Sequence, residues 1–307
     1  MFDSLSRVLL FFSFVGLGLI LVRLGRLKSE GLDGLSAYFY WLGFPAYLIH
    51  AFASMPKPAP SAFHWLALYG TAFLLSSALC FFIARARKAP TGEASGVGMA
   101  AFISNSAFLG LPIATSLFGP EVRNIGPVFF IADFLILFLI GCAALSLSGG
   151  KGVLFAVKQT LRNPTVIGSL TGLICLFSGI KMPEMLDQSL DILGRSSVPV
   201  ALVALGGMLA LMPARTLLSL NVLSTIAVMG KLLLAPACVA VLMALSGAPE
   251  IVFKTAVFLS ACPTAVSVFI QARMYGLWYE GAAVSIAQST LLSLLTLSGL
   301  AIMLTAL

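Results

Sequence analysis

A chain of 307 residues that is 60% hydrophobic and only 9% charged departs far from the roughly 25% charged residues of a soluble domain. No water-soluble fold of this size hides so much apolar surface, so lipid is the expected solvent for most of it. The net charge of +7 does not point to nucleic acid, because the bases are scattered over short connections between apolar stretches, as the positive-inside rule requires.

Stretches free of Asp, Glu, Lys and Arg run over 8–22, 34–56, 58–84, 94–120, 134–150, 163–180, 196–214, 216–230 with 232–249, 255–272 and 281–307. A helix needs about 20 residues to cross the hydrocarbon core. With the segment around Asp133 added to the fifth stretch, and the two pieces flanking Lys231 joined, the pattern predicts an all-α membrane protein of ten transmembrane helices. The first span is as short as the apolar part of a signal peptide. Its bases (Arg23, Arg26, Lys28) come after the apolar run and no small-residue cleavage site follows, so it reads as a retained helix.

Orientation follows from the loops. Odd-numbered connections carry eleven bases: Arg23, Arg26 and Lys28; Arg85, Arg87 and Lys88; Lys151, Lys158 and Arg162; Arg215; and Arg273. Even-numbered ones carry five, namely Lys57, Arg123, Lys181, Arg195 and Lys254. The odd loops are expected in the cytoplasm and both termini outside, in a bacterial-type inner membrane. The longest connection, Gly149 to Asn163, reads as a short basic amphipathic stretch on the cytoplasmic face. No connection is long enough for an ATPase, sensor or kinase module.

The two halves, 1–150 and 151–307, resemble each other. Phe102-Ile103-Ser104 in span four matches Phe258-Leu259-Ser260 in span nine, and Leu117-Phe118-Gly119 matches Met274-Tyr275-Gly276. Pro45 in span two and Pro199 in span seven stand at nearly the same offset. Five spans per half is odd, so the second copy must insert upside down, giving two inverted five-helix repeats. Such repeats commonly meet at broken helices. Proline removes an amide donor and clashes one turn back, and the freed backbone is tolerated where protein or water can serve it. Span four reads Ser104-Asn105-Ser106-Ala107-Phe108-Leu109-Gly110-Leu111-Pro112 and span nine Ser260-Ala261-Cys262-Pro263-Thr264-Ala265. If spans four and nine break and cross there, Ser104, Asn105, Ser106, Pro263 and Thr264 can present side chains, amides and helix ends to an anion. Pro45 and Pro199 are the other candidate site positions.

Two charges fall deep within apolar spans, Asp133 in span five and Lys231 in span eight. A charge at mid-membrane costs roughly 2.5–3.5 kcal/mol on insertion scales, so it normally faces the bundle interior and marks function. Asp133 is the candidate proton- or cation-binding group, with Lys231 its partner or a counter-charge to an anionic substrate. The alternatives are a fixed structural pair of the two, or Lys231 snorkelling to the interface. His50 and His64 read as interfacial side chains without ligand partners. The five cysteines (Cys80, Cys142, Cys175, Cys238, Cys262) all lie in apolar stretches without metal-ligand spacing, so neither a disulfide, a metal site nor a cofactor is expected. Gly149-Gly150-Lys151 lacks the spacing of a phosphate loop, and no nucleophile elbow or paired-carboxylate arrangement points to an enzyme. An intramembrane enzyme would have to rest on His50 and a nearby serine.

At these residues the chain resembles the auxin efflux carrier family, which includes plant auxin exporters and bacterial malonate or malate permeases. The resemblance is carried by Asn105 to Pro112 with Leu117-Phe118-Gly119, and by Pro263-Thr264-Ala265-Val266 with Tyr275-Gly276. Arg162-Asn163-Pro164, Gly206-Gly207-Met208-Leu209 and Gln288-Ser289-Thr290-Leu291-Leu292-Ser293 add to it. It implies a fold similar to bile acid:sodium symporters, with spans four and nine crossing at the substrate site, and a homodimer. The plant exporters have proline where this chain has Ser104, so a milder break, or one displaced toward Pro112, is expected. The leading function is secondary transport of a small organic anion, with the carboxylate or dicarboxylate class implied by the resemblance, by alternating access driven by the proton motive force, with protons as the coupling ion, or by membrane potential. The second reading is an uncoupled facilitator or exporter.

Overall fold

The computed structural model describes residues 2–217, 219 and 221–307. The chain is helical, and among the described residues the only β-type pairing is a single bridge between Ser104 and Thr264. In hydrocarbon every backbone polar group needs a partner within the protein, and a helix supplies one for each.

The elements run in chain order from α1 (Phe2–Arg23), α2 (Ser29–Tyr38), α3 (Phe44–Ala53) and α4 (Pro60–Ala86) to α5 (Thr91–Phe102), α6 (Leu111–Phe118), α7 (Val122–Ile131) and α8 (Phe138–Ser148). They continue as α9 (Val153–Leu161), α10 (Pro164–Ser178), α11 (Glu184–Leu211), the short α12 (Ala214–Leu217), α13 (Val222–Met229) and α14 (Ala235–Leu245). The last three are α15 (Glu250–Ser260), α16 (Ser267–Tyr275) and α17 (Tyr279–Ala306). Among the described residues, five segments are long and apolar enough to cross a membrane: Leu5–Arg23, Pro60–Ala86, Glu184–Leu211, Val222–Leu245 and Tyr279–Ala306. Outward-facing side chains such as Phe82 (65% exposed) and Leu295 (72% exposed) are apolar, as a lipid-facing surface must be. The other apolar stretches form shorter or interrupted helices. The eighth stretch, expected from 216, becomes helical only from Val222 after the α12 turn; its Leu218 and Leu220 lie outside the described residues.

Among the described residues, four π turns interrupt the helices, at Phe39–Gly43, Ser106–Gly110, Ala132–Leu137 and Gly230–Leu234. In each, the following amide reaches five residues back: Phe44 to Phe39, Leu111 to Ser106, Phe138 to Asp133 and Ala235 to Gly230. Three of them end two residues before a proline, Pro45, Pro112 and Pro236. The ring would clash with the carbonyl four residues back, and opening the turn by one residue relieves that clash without ending the helix.

The helices associate in two groups. In the first, α1 packs on α11, and α3 packs on both α10 and α11. In the second, α4 packs on α5 and α14, α13 on α5 and α17, and α15 on α14. Each group takes helices from before and after residue 150. The α1–α11 contact is backbone to backbone: a Cβ added at Gly206 would lie 1.8 Å from the Val15 carbonyl oxygen, and one at Gly18 would lie 1.9 Å from that of Val203. Small residues that permit such approach are how helices associate where lipid gives no hydrophobic driving force. His50, expected as an interfacial side chain without a ligand partner, joins α3 to α11: its Nδ1 lies 2.8 Å from Asp187 Oδ1 and its Nε2 3.5 Å from Asp191 Oδ1. Asp191 also takes a 2.7 Å hydrogen bond from Arg195.

Candidate functional site

Two interrupted helices meet where the second group faces the first. α5 ends at Phe102 and the chain runs extended through Ile103 before the π turn that begins at Ser106. α15 ends at Ser260 and helix resumes only at Ser267. The break in the first half therefore falls at Ser104 itself and is not displaced to Pro112. It is shorter than the six-residue break in the second half, in keeping with the absence of a proline at position 104.

The two breaks pair as antiparallel strands. The amide of Asn105 donates to the carbonyl of Pro263 (2.8 Å) and that of Ala265 to the carbonyl of Ile103 (3.0 Å). Carbonyls and amides that the helix ends cannot pair find side chains. The Thr264 hydroxyl donates to the Ala100 carbonyl of α5 (2.9 Å), and the Thr264 amide donates to Ser289 Oγ of α17 (3.1 Å). Ser104, Ser106 and Thr264 are buried.

The two intramembrane charges each address one broken helix. Asp133 Oδ2 accepts from Ser106 Oγ (2.7 Å) at the start of the resumed helix in the first half, where a helix dipole favours negative charge. Lys231 Nζ donates to the carbonyl of Ser260 at the end of α15, where the dipole favours positive charge, and stands 5.1 Å from the Phe73 ring centroid. Lys231 is fully buried, so it does not snorkel. No ion pair joins it to Asp133 among the described residues. The fixed direct pair considered from the sequence is therefore replaced by two separate helix-end contacts. Asp133 Oδ1 is buried with no hydrogen-bond partner.

Against the crossover lies a cavity of about 230 Å³. Its second-group wall is Ser104, Asn105, Phe138, Ala265, Val266 and the start of α16; its first-group wall includes Tyr40, Phe44, Asn163, Thr165, Leu202 and Leu205. Among the described lining residues none is charged. Three helix N-termini open onto it. Asn105 precedes the helix resuming at Ser106, Asn163 caps α10 by accepting from the Thr165 amide (2.9 Å), and Val266 and Ser267 begin α16. The Asn105 side chain is 8% exposed and, among the described residues, its amide has no protein hydrogen-bond partner. Aligned helix N-termini carry partial positive charge and suit an anion without any side-chain cation. Two lining residues, Asn163 and Ile270, stand one and three residues in sequence from Arg162 and Arg273.

Of the candidate positions, Ser104 and Asn105 line this cavity, Ser106 and Thr264 hold its wall in place, and Pro263 supplies the carbonyl that pairs the two breaks. Pro45 instead packs against Gly168 of α10, and Pro199 lies inside the unbroken α11; neither lines the cavity. Asn163, Thr165 and Tyr40 were not among the candidates. Asn163-Pro164 does carry a helix-start signature, an N-cap followed by proline at the first helical position. Tyr40 has no local signal.

Residues 151–301 match the family described as "Membrane transport protein". A protein of Rhizobium meliloti named "Putative malonate transporter" is 27% identical over 309 residues, covering 98% of this chain and 95% of that one. An "Uncharacterized transporter" of Methanothermobacter thermautotrophicus is 27% identical over 66% of this chain and 67% of its own length. "Auxin efflux carrier component 3" of Arabidopsis thaliana is 29% identical over 122 residues, 38% of this chain and 19% of that protein.

Proposed function

We propose that the chain is a transporter of the auxin efflux carrier family, as the match over residues 151–301 and the transporter-named relatives support, and that it carries a small carboxylate or dicarboxylate, of the malonate or malate kind, by alternating access. The observation that carries this reading is the convergence of three helix N-termini and the Asn105 side-chain amide, unpaired among the described residues, on one uncharged cavity at the crossover. A volume of about 230 Å³ falls below the roughly 300–1,000 Å³ of drug-sized pockets, which suits a small acid. The cavity lies between two helix groups, the arrangement in which one group rocking against the other exposes a site to alternate sides. In this reading the chain spans an inner membrane ten times as two inverted repeats with both termini outside. The basic connections are cytoplasmic, and the cavity, lined next to Arg162 in sequence, is assigned to an inward-facing state.

Asp133 is the proposed proton-coupling group. It touches the crossover through Ser106 and keeps one carboxylate oxygen unpaired, so a proton gained or lost there acts on the wall of the cavity. The second reading, an uncoupled facilitator, treats the same carboxylate as a fixed helix-end charge. The test is uptake of radiolabelled malonate, malate and a monocarboxylate into proteoliposomes, with and without an imposed pH gradient, beside Asn105→Ala. Uptake that follows the gradient and is lost in the variant supports the coupled carrier. Uptake indifferent to the gradient favours the facilitator, and no uptake of any acid refutes the substrate class.

A further inference from the structure

The basic connection between the two chain halves folds as α9, set off from α8 by Gly150 and Gly152 at positive φ (72° and 77°) and closed by Asn163 and Pro164. At about 100° per residue, Val153, Leu154 and Leu161 fall on one arc of this helix, and Lys158 and Arg162 on the arc beside it. Val153, Leu154 (81% exposed) and Leu161 are left uncovered by the protein. Lys158 and Arg162 are exposed and, among the described residues, have no protein partner. No acidic residue occurs from 149 to 163. The helix is also tied to the site: Lys151 Nζ donates to the Met274 carbonyl (3.0 Å) near the end of α16, and Phe155 packs edge-on against Tyr275 (5.8 Å between ring centroids). α16 begins at the cavity wall.

We propose that α9 lies in the membrane plane and docks on anionic lipid headgroups, and that through Lys151 and Phe155 it holds the far end of α16. The occupant follows from chemistry on one helix. An uncovered apolar arc enters the acyl boundary while the adjoining bases meet headgroup phosphates, and the bilayer that the chain spans supplies both. The site binds lipid and needs no assumption about the transported solute.

Native mass spectrometry of the purified full chain, titrated with phosphatidylglycerol or phosphatidylcholine, tests the docking. The wild type is expected to retain phosphatidylglycerol preferentially, and K158E/R162E to lower that preference about thirtyfold or more, given roughly a fivefold factor for each base near an anionic surface. K158R/R162K is expected to keep it. Equal retention of the two lipids by the wild type, an unchanged preference in K158E/R162E, or displacement by millimolar inorganic phosphate would overturn the proposal. The link to α16 is read by amide hydrogen exchange in phosphatidylglycerol nanodiscs. K151Q is expected to speed exchange over 272–276 while lipid preference stays intact, and unchanged exchange would refute the link.

Discussion

Asn105 combines burial with a side-chain amide that lines an uncharged cavity and has no protein partner among the described residues. A hydrogen bond to a charged group contributes about 1.5–3 kcal/mol, so, if the proposed carboxylate is the substrate, Asn105→Ala is expected to weaken its binding about 10- to 100-fold, measured by calorimetry or by the half-saturating uptake concentration. Asp133→Asn is expected to abolish accumulation driven by a pH gradient while leaving counterflow exchange of labelled for unlabelled substrate. Accumulation that survives in this variant removes Asp133 from coupling. Lys231→Met keeps the bulk but strips the donor from the buried Ser260 carbonyl. An unsatisfied buried acceptor costs about 1–3 kcal/mol, so this variant should unfold at a lower temperature in a thermal-shift assay, and Lys231→Gln should lose less. Both charges stand out in the sequence because nothing else within their spans is ionised. Their partners do not, since one is a backbone carbonyl 29 residues away and the other a serine among many.

Helices break and bend here for reasons that are only partly local. The apolar stretches and the paired interruptions in spans four and nine can be read directly, because hydropathy and the Ser-, Asn- and Pro-containing runs are local signals. The π turns before Pro45, Pro112 and Pro236 cannot be read, because proline predicts a disturbed turn without saying whether the helix ends or widens. Pro199 makes the point: it sits at the same offset as Pro45, yet α11 continues through it. The carbonyl it leaves without an amide is that of Arg195, whose side chain is 77% exposed, so solvent is at hand. Packing between helices is equally non-local. Gly18 and Gly206 are ordinary apolar-span glycines until α1 and α11 bring their backbones together. Gly206→Val places branched carbon where the Val15 carbonyl stands, and it should lower thermal stability and the yield of folded protein far more than Gly16→Val, since a Cβ at Gly16 meets nothing within 4 Å.

For the molecule as a whole, the cavity exists only because two helix groups, each drawn from both chain halves, meet at the crossover. That explains why Tyr40, Asn163 and Thr165 escaped the sequence reading: they come together over more than a hundred residues of separation. Ala201→Trp, on the α11 wall, is expected to abolish uptake with little change in unfolding temperature, as assayed in proteoliposomes and by thermal shift. The lining also has a consequence for how the site behaves in solution. In the proposed reading its positive character resides in peptide dipoles, since among the described lining residues there is no Asp, Glu, His, Lys or Arg. In that reading the pull on an anion comes from the backbone path and the neutral Asn105 side-chain amide, and neither changes its charge with pH. If affinity for the transported acid varies with pH, the variation must belong to the solute's own ionisation or arrive from behind the wall, through Ser106, from Asp133.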